Sequence, residues 1–325
     1  MNKIKSTMTI IIGGGPIGIA CALELKKREI PSIIIEKGSI VDSIYHYPVN
    51  MTFFSTSDRL ELGEIPFISH GPKPTRREAL EYYRRIIHSA QIPIKLYEEV
   101  QRIDGVENAF TVITNKEKYE CNNVIIATGF YGHANLLNVP GENLAKVKHY
   151  YDEPHPYTRQ KVVVVGAGNS AVDVALETYR NGADVTMVVR EDSIKESVKY
   201  WVKPDIENRL KEGSIKSYFN ASISKIDEHS VLISTNEGEV KLENDFVLAM
   251  TGYTPDYEML NNFQIEVDSD EYKTPIYDDE IHESKTKGIY LAGVVCGGLK
   301  TNRWFIENSR EHAVLIANHI YQKRK

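Results

Sequence analysis

One pattern occurs twice in this chain and decides most of what it can become. In its first occurrence a β-branched run, Thr9-Ile10-Ile11-Ile12, meets Gly13-Gly14-Gly15-Pro16-Ile17-Gly18. Helix formers follow from Ile19 to Glu29, then Ser32-Ile33-Ile34-Ile35 and Glu36. Such isoleucine runs suit strands buried on both faces, and strand, glycine turn, helix and strand in that order form a parallel βαβ unit. Gly13 allows the tight bend, Gly15 lets backbone approach a diphosphate, and Gly18 lets helix and strand pack closely. The helix N-terminus turns unpaired N–H groups and partial positive charge toward the phosphates. Glu36, 18 residues beyond Gly18, stands where a carboxylate accepts both ribose hydroxyls. These letters describe a dinucleotide site.

The second occurrence begins at Lys161-Val162-Val163-Val164-Val165 and continues through Gly166-Ala167-Gly168-Asn169-Ser170-Ala171, a GxGxxA variant. A helix over Val172–Tyr179 and a strand over Val185–Val189 are expected next, ending in Arg190. Arg190 falls 19 residues after Ala171, the place that Glu36 holds in the first copy. An acid there repels a 2′-phosphate, whereas a guanidinium binds it bidentately, and Lys195 is within reach of the same group. The charge reversal points to NADP(H) at the second site, although Glu191 beside Arg190 offsets some of that charge.

The duplication runs further. Ile94 to Gly129 reads as short strands with turns at Asp104-Gly105 and Asn115-Lys116, closing on Val124-Ile125-Ile126-Ala127-Thr128-Gly129. Ile215 to Gly252 repeats the plan and closes on Val247-Leu248-Ala249-Met250-Thr251-Gly252. The glycine motifs lie 153 residues apart and the Thr-Gly pairs 123, so the first copy carries 30 extra residues. That surplus falls mostly between Glu36 and Ile94, a stretch rich in aromatic and turn residues. It is either a wall for a bound ring system or a surface insertion. Beyond a polar segment, Gly288-Ile289-Tyr290-Leu291-Ala292-Gly293 and a helix from about Trp304 to Tyr321 are too short for a third core. They must return to the first domain and make it discontinuous.

Composition narrows the class. At 325 residues the chain holds about two domains. Its 39 basic and 45 acidic residues leave a formal charge of −6, which argues against nucleic acid or an anionic membrane as the partner. The uncharged run Ser6–Leu23 mimics a signal peptide or membrane span, but Gly13-Gly14-Gly15-Pro16 interrupts it. Three scattered cysteines, Cys21, Cys121 and Cys296, exclude a CxxC pair and a multi-cysteine zinc site and suit a reducing, cytoplasmic compartment. No metal is expected.

The paired motifs, the two Thr-Gly pairs and the late Gly-Ile-Tyr-Leu-Ala-Gly strand resemble flavoproteins with two dinucleotide-binding domains, of thioredoxin-reductase size. Within them the chain is most similar to the YpdA family, assigned as bacillithiol-disulfide reductases. The resemblance rests on Tyr47-Pro48, Thr52-Phe53-Phe54-Ser55-Thr56-Ser57, Leu60-Glu61-Leu62-Gly63, Ala292-Gly293-Val294-Val295 and Phe305-Ile306-Glu307-Asn308. It implies an α/β fold of two Rossmann-like domains, with FAD bound by residues 1–133 and 250–325 and NADP(H) by an inserted domain, 134–249. By the same resemblance FAD meets Gly13, Gly15, Pro16, Gly18, Glu36 and Lys37. It also meets Thr52, Phe53, Thr128, Gly129, Gly293, Val294, Trp304 and Phe305. NADPH meets Gly166, Gly168, Asn169, Ser170, Ala171, Arg190, Lys195 and Gly252. The implied reaction takes hydride from NADPH to FAD and then to a small-molecule or protein acceptor, a low-molecular-weight thiol disulfide among the candidates, in a homodimer.

Three positions depart from these families. Thioredoxin reductases carry CxxC where this chain has His149-Tyr150-Tyr151-Asp152. Val294 replaces the Asp that many relatives place after the late Ala-Gly to bind the ribityl chain. Ile17 stands where YpdA proteins with a proposed redox cysteine carry it. Two candidate catalytic residues keep two readings each. Cys296 is an electron-relaying thiol or an apolar filler, and His149 is a proton donor or a structurally bonded side chain. Flavin monooxygenases, ferredoxin–NADP⁺ reductases and a non-enzymatic redox sensor binding both cofactors are the rival readings. The first is weakened because Lys146-Val147-Lys148-His149 lacks the leading Phe-x-Gly of their fingerprint.

Overall fold

The computed structural model describes residues 5–324. The chain divides into two compact units, one made of the residues up to His133 together with Thr254 onward, the other of Ala134–Tyr253.

The first unit opens with β1 (Lys5–Ile12), α1 (Pro16–Lys27) and β2 (Ser32–Ile35), paired in parallel so that Ile12 lies opposite Ile35. The surplus segment holds α2 (Asp42–Tyr45), a 3₁₀ turn over Ser57–Leu60 and α3 (Arg76–Ser89). Then come β3 (Ile94–Lys95), β4 (Val100–Val106), β5 (Ala109–Thr114) and β6 (Lys118–Ile126). The sheet runs β3-β2-β1-β6-β5-β4. One expected turn is displaced. The β4–β5 hairpin closes Val106 against Ala109, so its loop is Glu107-Asn108, with Asn108 at φ +66°, and Gly105 lies inside β4. Asparagine tolerates the left-handed conformation well enough to serve as the turn.

The second unit contains β7 (Val147–Lys148), β8 (Lys161–Val165), α4 (Asn169–Arg180) and β9 (Asp184–Val188). It continues through α5 (Lys203–Lys211), β10 (Lys216–Tyr218), β11 (Ser222–Asp227), β12 (Ser230–Thr235), β13 (Gly238–Glu243) and β14 (Phe246–Ala249). Strands β10-β9-β8-β14-β7 form a parallel sheet, and β11-β12-β13 a separate antiparallel one. Val165 faces Val188 as Ile12 faces Ile35, so the two glycine turns leave equivalent strand ends.

After Thr254 the chain adds α6 (Tyr257–Asn262), β15 (Ile289–Leu291) and α7 (Ile306–Lys323) to the first unit. Here β6 changes partner: its first half pairs with β5 and its second half with β15. Helix α7 lies along α1, where Ala313, Ile316, Ala317 and Ile320 join Ala20 and Leu23 in one buried cluster. Among the described residues, no helix is long and apolar enough to cross a membrane.

Candidate functional site

Both glycine turns are built alike. The amide of Gly13 donates to the carbonyl of Ile35 at 2.9 Å, and that of Gly166 to Val188 at 3.0 Å. Gly13 takes φ +109°, and a Cβ there would lie 2.5 Å from the carbonyl oxygen of Ala127. Gly166 takes φ +129°, and its Cβ would meet the carbonyl oxygen of Met250 at the same 2.5 Å. The following glycines open outward instead. A Cβ at Gly15 or Gly168 would touch nothing within 4 Å, which is the space a phosphate needs.

Each open glycine is the N-cap of its helix, and neither α1 nor α4 has a side-chain cap or an acid in its first turn. That exposure is selective, because α3 in the same chain carries a full capping box from Thr75 and Glu78. An uncapped, acid-free helix start keeps its N–H groups and dipole for an anionic ligand.

Charge distinguishes the two turns. Glu36 is buried against the first, its carboxylate accepting from the amides of Gly14 at 2.6 Å and Gly38 at 2.7 Å. Burial pushes its pKa up while those two amides oppose the shift. Lys37 is exposed and points its ammonium toward Gly132. At the second turn Arg190 is exposed, with no ion-pair partner among the described residues, while Lys195 lies 3.5 Å from Glu191. The loop bearing them is tied to the turn: Lys195 donates its amide to Ala167, and Asn169 bonds Ser197 and Lys199. Ser170 faces outward, Ala171 packs inward, and Gly252 follows Thr251, whose hydroxyl donates to Asn135.

Around the first turn the structure collects residues distant in sequence. A Cβ on Gly293 would meet Ile17 at 3.2 Å, and one on Gly129 would meet Val294 at 3.7 Å. The turn carrying Gly293 and Val294 therefore sits against both α1 and the Thr128-Gly129 pair. Thr128 Oγ1 is buried without a hydrogen-bond partner among the described residues, as is Trp304 Nε1 just before α7. A bound group can complete the bonding of buried orphans of this kind. Phe305 is about half exposed at the start of α7, Phe53 is in the core beside α1, and Thr52 is exposed and bridged to Thr75. Tyr47 joins Phe53 to Tyr131, so part of the surplus segment does pack beside Gly129.

Of the candidate catalytic residues, His149 is bonded through one ring nitrogen, while its Nδ1 is buried with no hydrogen-bond partner among the described residues. His149 Nε2 lies 3.3 Å from Glu142, which also accepts from the amide of Asn138 at 2.7 Å. Cys296 is fully buried, and burial pushes its thiol well above the ordinary range. Its sulfur lies 4.0 Å from Nδ1 of both His282 and His312, and these three ligand-capable atoms fall within 4.8 Å of one another. Sequence analysis pointed to Cys296 but not to His282 or His312. No spacing rule joins positions 282, 296 and 312; the β15 strand and α7 bring them together.

Comparison with known proteins places this architecture. Residues 10–293 match the model of the pyridine nucleotide-disulphide oxidoreductase family. The chain belongs to that family. It is 42% identical over 316 residues to the bacilliredoxin reductase Bdr of Bacillus subtilis (strain 168), covering 97% of each chain. The structure of the bacillithiol disulfide reductase Bdr (YpdA) from Staphylococcus aureus superimposes with TM-score 0.95 at 41% identity, covering 99% of this chain and 100% of that one. In fold it also matches a thioredoxin reductase from T. acidophilum, with TM-score 0.77 and 20% identity over 98% of this chain and 99% of that one. The protein is an oxidoreductase of the thioredoxin-reductase-like, YpdA kind, and its cofactors are FAD and NADPH. The open, uncapped glycine turns and the orphaned Thr128 and Trp304 atoms fit that cofactor pair.

Proposed function

We propose that this protein passes electrons from NADPH, by way of FAD, to a low-molecular-weight thiol disulfide of the bacillithiol type, the acceptor named for its Staphylococcus relative. The observation that carries the assignment of the two sites is the pair of equivalent glycine turns with opposite charges at the ribose position, Glu36 and Arg190. Glu36 fixes the adenosine ribose of FAD, and the α1 N-terminus holds its diphosphate. Arg190 and Lys195 select the 2′-phosphate of NADPH over NADH, and the α4 N-terminus holds that diphosphate.

Bound FAD supplies the two-electron carrier between nicotinamide and acceptor. The chain supplies orientation and charge. At the start of α7, where Asn308 accepts from the Phe305 amide at 2.7 Å and Glu307 offsets part of the field, the helix dipole would favour negative charge on the flavin pyrimidine. No protein dithiol takes part. Cys21 and Cys121 are buried with thiols pushed up to about 12, Cys296 is fully buried, and Ile17 occupies the place of the family's proposed redox cysteine. In the net reaction NADPH and a proton are consumed. The acceptor's S–S bond takes two electrons and two protons and opens to two thiols. A homodimer in the cytoplasm completes the reading.

Anaerobic reduction tests it. NADPH should bleach the purified yellow protein faster than NADH, and oxidised bacillithiol should restore the oxidised spectrum with two thiols formed per NADPH. If only oxygen, quinones or ferredoxin reoxidise it, the acceptor assignment is wrong. Arg190→Ala should weaken NADPH by roughly 10- to 100-fold in KM, the worth of a charge-assisted contact of about 1.5–3 kcal/mol, and leave NADH unchanged. An unaltered NADPH-to-NADH ratio would remove Arg190 from the site.

A further inference from the structure

Behind the Gly293 turn, four rings touch in series. Tyr277 stacks on His282 at 5.2 Å between centroids, His282 meets His312 at 3.9 Å, and Trp304 stands edge-on to His312 at 4.5 Å. With Cys296 the group has the donor set of a soft-metal site, but both Nδ1 atoms are already committed to backbone. His282 Nδ1 donates to the carbonyl of Leu291 at 3.1 Å, and His312 Nδ1 accepts from the amide of Gly293 at 3.1 Å. The cluster is therefore organised around the chain that runs from β15 into the Gly293 turn.

The second bond has consequences. To accept from an amide, His312 Nδ1 must be bare, so the neutral ring carries its proton on Nε2. Burial, and after it His282 and Arg303, pull the His312 pKa down to about 3, and the ring is 2% exposed. Gly293 is at φ +84°, a conformation that favours glycine, and Ile17 of α1 stands where a side chain at this position would need room. The turn thus has a side chain of α1 close by and is hydrogen-bonded to a ring of α7.

Resting on the FAD placement given above, we infer that His312 is a positioning residue for the flavin. Its Nδ1 clamps the Gly293 amide and so sets the turn through Gly293 and Val294 against which FAD lies. The ring itself does not touch the reacting atoms. A clamp of this kind acts through the position of one acceptor atom, which distinguishes it from a ring that merely fills space.

Two substitutions separate these roles. Asparagine can place its Oδ1 where Nδ1 stands and keep the bond to Gly293, whereas glutamine moves its polar atoms one bond further out and loses it. In the purified holoprotein, His312→Gln should weaken FAD binding about 10-fold by flavin fluorescence, and shift the flavin midpoint potential and visible spectrum. His312→Asn should remain within about twofold of the parent in affinity and keep its potential. Equal losses in both variants would show that the ring only packs, and equal retention that the bond to Gly293 is idle; either result overturns the inference. A parent protein that takes up no FAD would instead overturn the placement on which it rests.

Discussion

Gly13→Ala is expected to yield a protein that purifies without flavin. The added methyl would stand 2.5 Å from the carbonyl oxygen of Ala127, a backbone atom at the end of β6 that cannot swing aside, and φ +109° is strained for any L side chain. Strain of about 1–3 kcal/mol from the backbone conformation adds to an overpacking cost of similar size. The chain relieves both by moving the turn that presents the α1 N-terminus, and FAD affinity should fall by more than about 100-fold, as about 3 kcal/mol implies. Gly166→Ala imposes an equal clash, now on Met250. It should leave the flavin spectrum intact while abolishing its bleaching by NADPH. The contrast is the informative part. Two lesions of the same size at equivalent turns should fail in different cofactors, read by absorbance as purified and after anaerobic NADPH. If Gly13→Ala keeps its flavin, the diphosphate does not lie on this turn.

That contrast could be framed from the amino-acid sequence because the two turns are local. Strand, glycines, helix and the residue ending the next strand lie within about thirty positions, and each letter has a steric or electrostatic reason to be there. The register confirms how far local signals reach, with Ile12 opposite Ile35 and Val165 opposite Val188. The opposed charges of Glu36 and Arg190 were equally legible. Other features depend on what folding brings together. The β4–β5 turn settled on Asn108 rather than Gly105 because the pairing of Val106 with Ala109 outweighs glycine's preference for turns. His282 carried no periodic or motif signal, yet it lies against His312 and Cys296. The ties between Gly293, Ile17 and His312 join three elements spread over nearly the whole chain. A turn motif announces itself in sequence; the clamp that holds a second turn beside it does not.

The same buried histidine should make stability depend on pH in a range where most proteins are indifferent. His312 has a pKa near 6.5 when unfolded and about 3 when folded. Between those values the unfolded chain binds more protons than the folded one, so stability rises with pH across the window. It is fully present above about pH 6.5 and drains away as pH falls toward 3. At pH 5 the loss from this residue alone is about 2 kcal/mol, a large share of a typical stability of 5–15 kcal/mol. His282 is also pulled down, chiefly by burial, and adds to the loss in the same direction. The groups facing His312 leave it without a compensating anion: His282 and Arg303 oppose its protonation, and burial keeps the Cys296 thiol protonated. Glu283 acts lower on the scale. Burial would raise its pKa, but the Gly288 amide, Lys323 and Lys287 prevail and hold it at about 2, so its contribution persists down to about pH 4.5 and is lost only below. Urea unfolding of the holoprotein at pH 7, 6 and 5 should therefore show a falling midpoint, with the slope reduced in His312→Asn, which has no group to protonate. A flat profile in the parent, or an equal slope in the variant, would mean that the ring finds a proton acceptor on folding and is not held neutral by its surroundings.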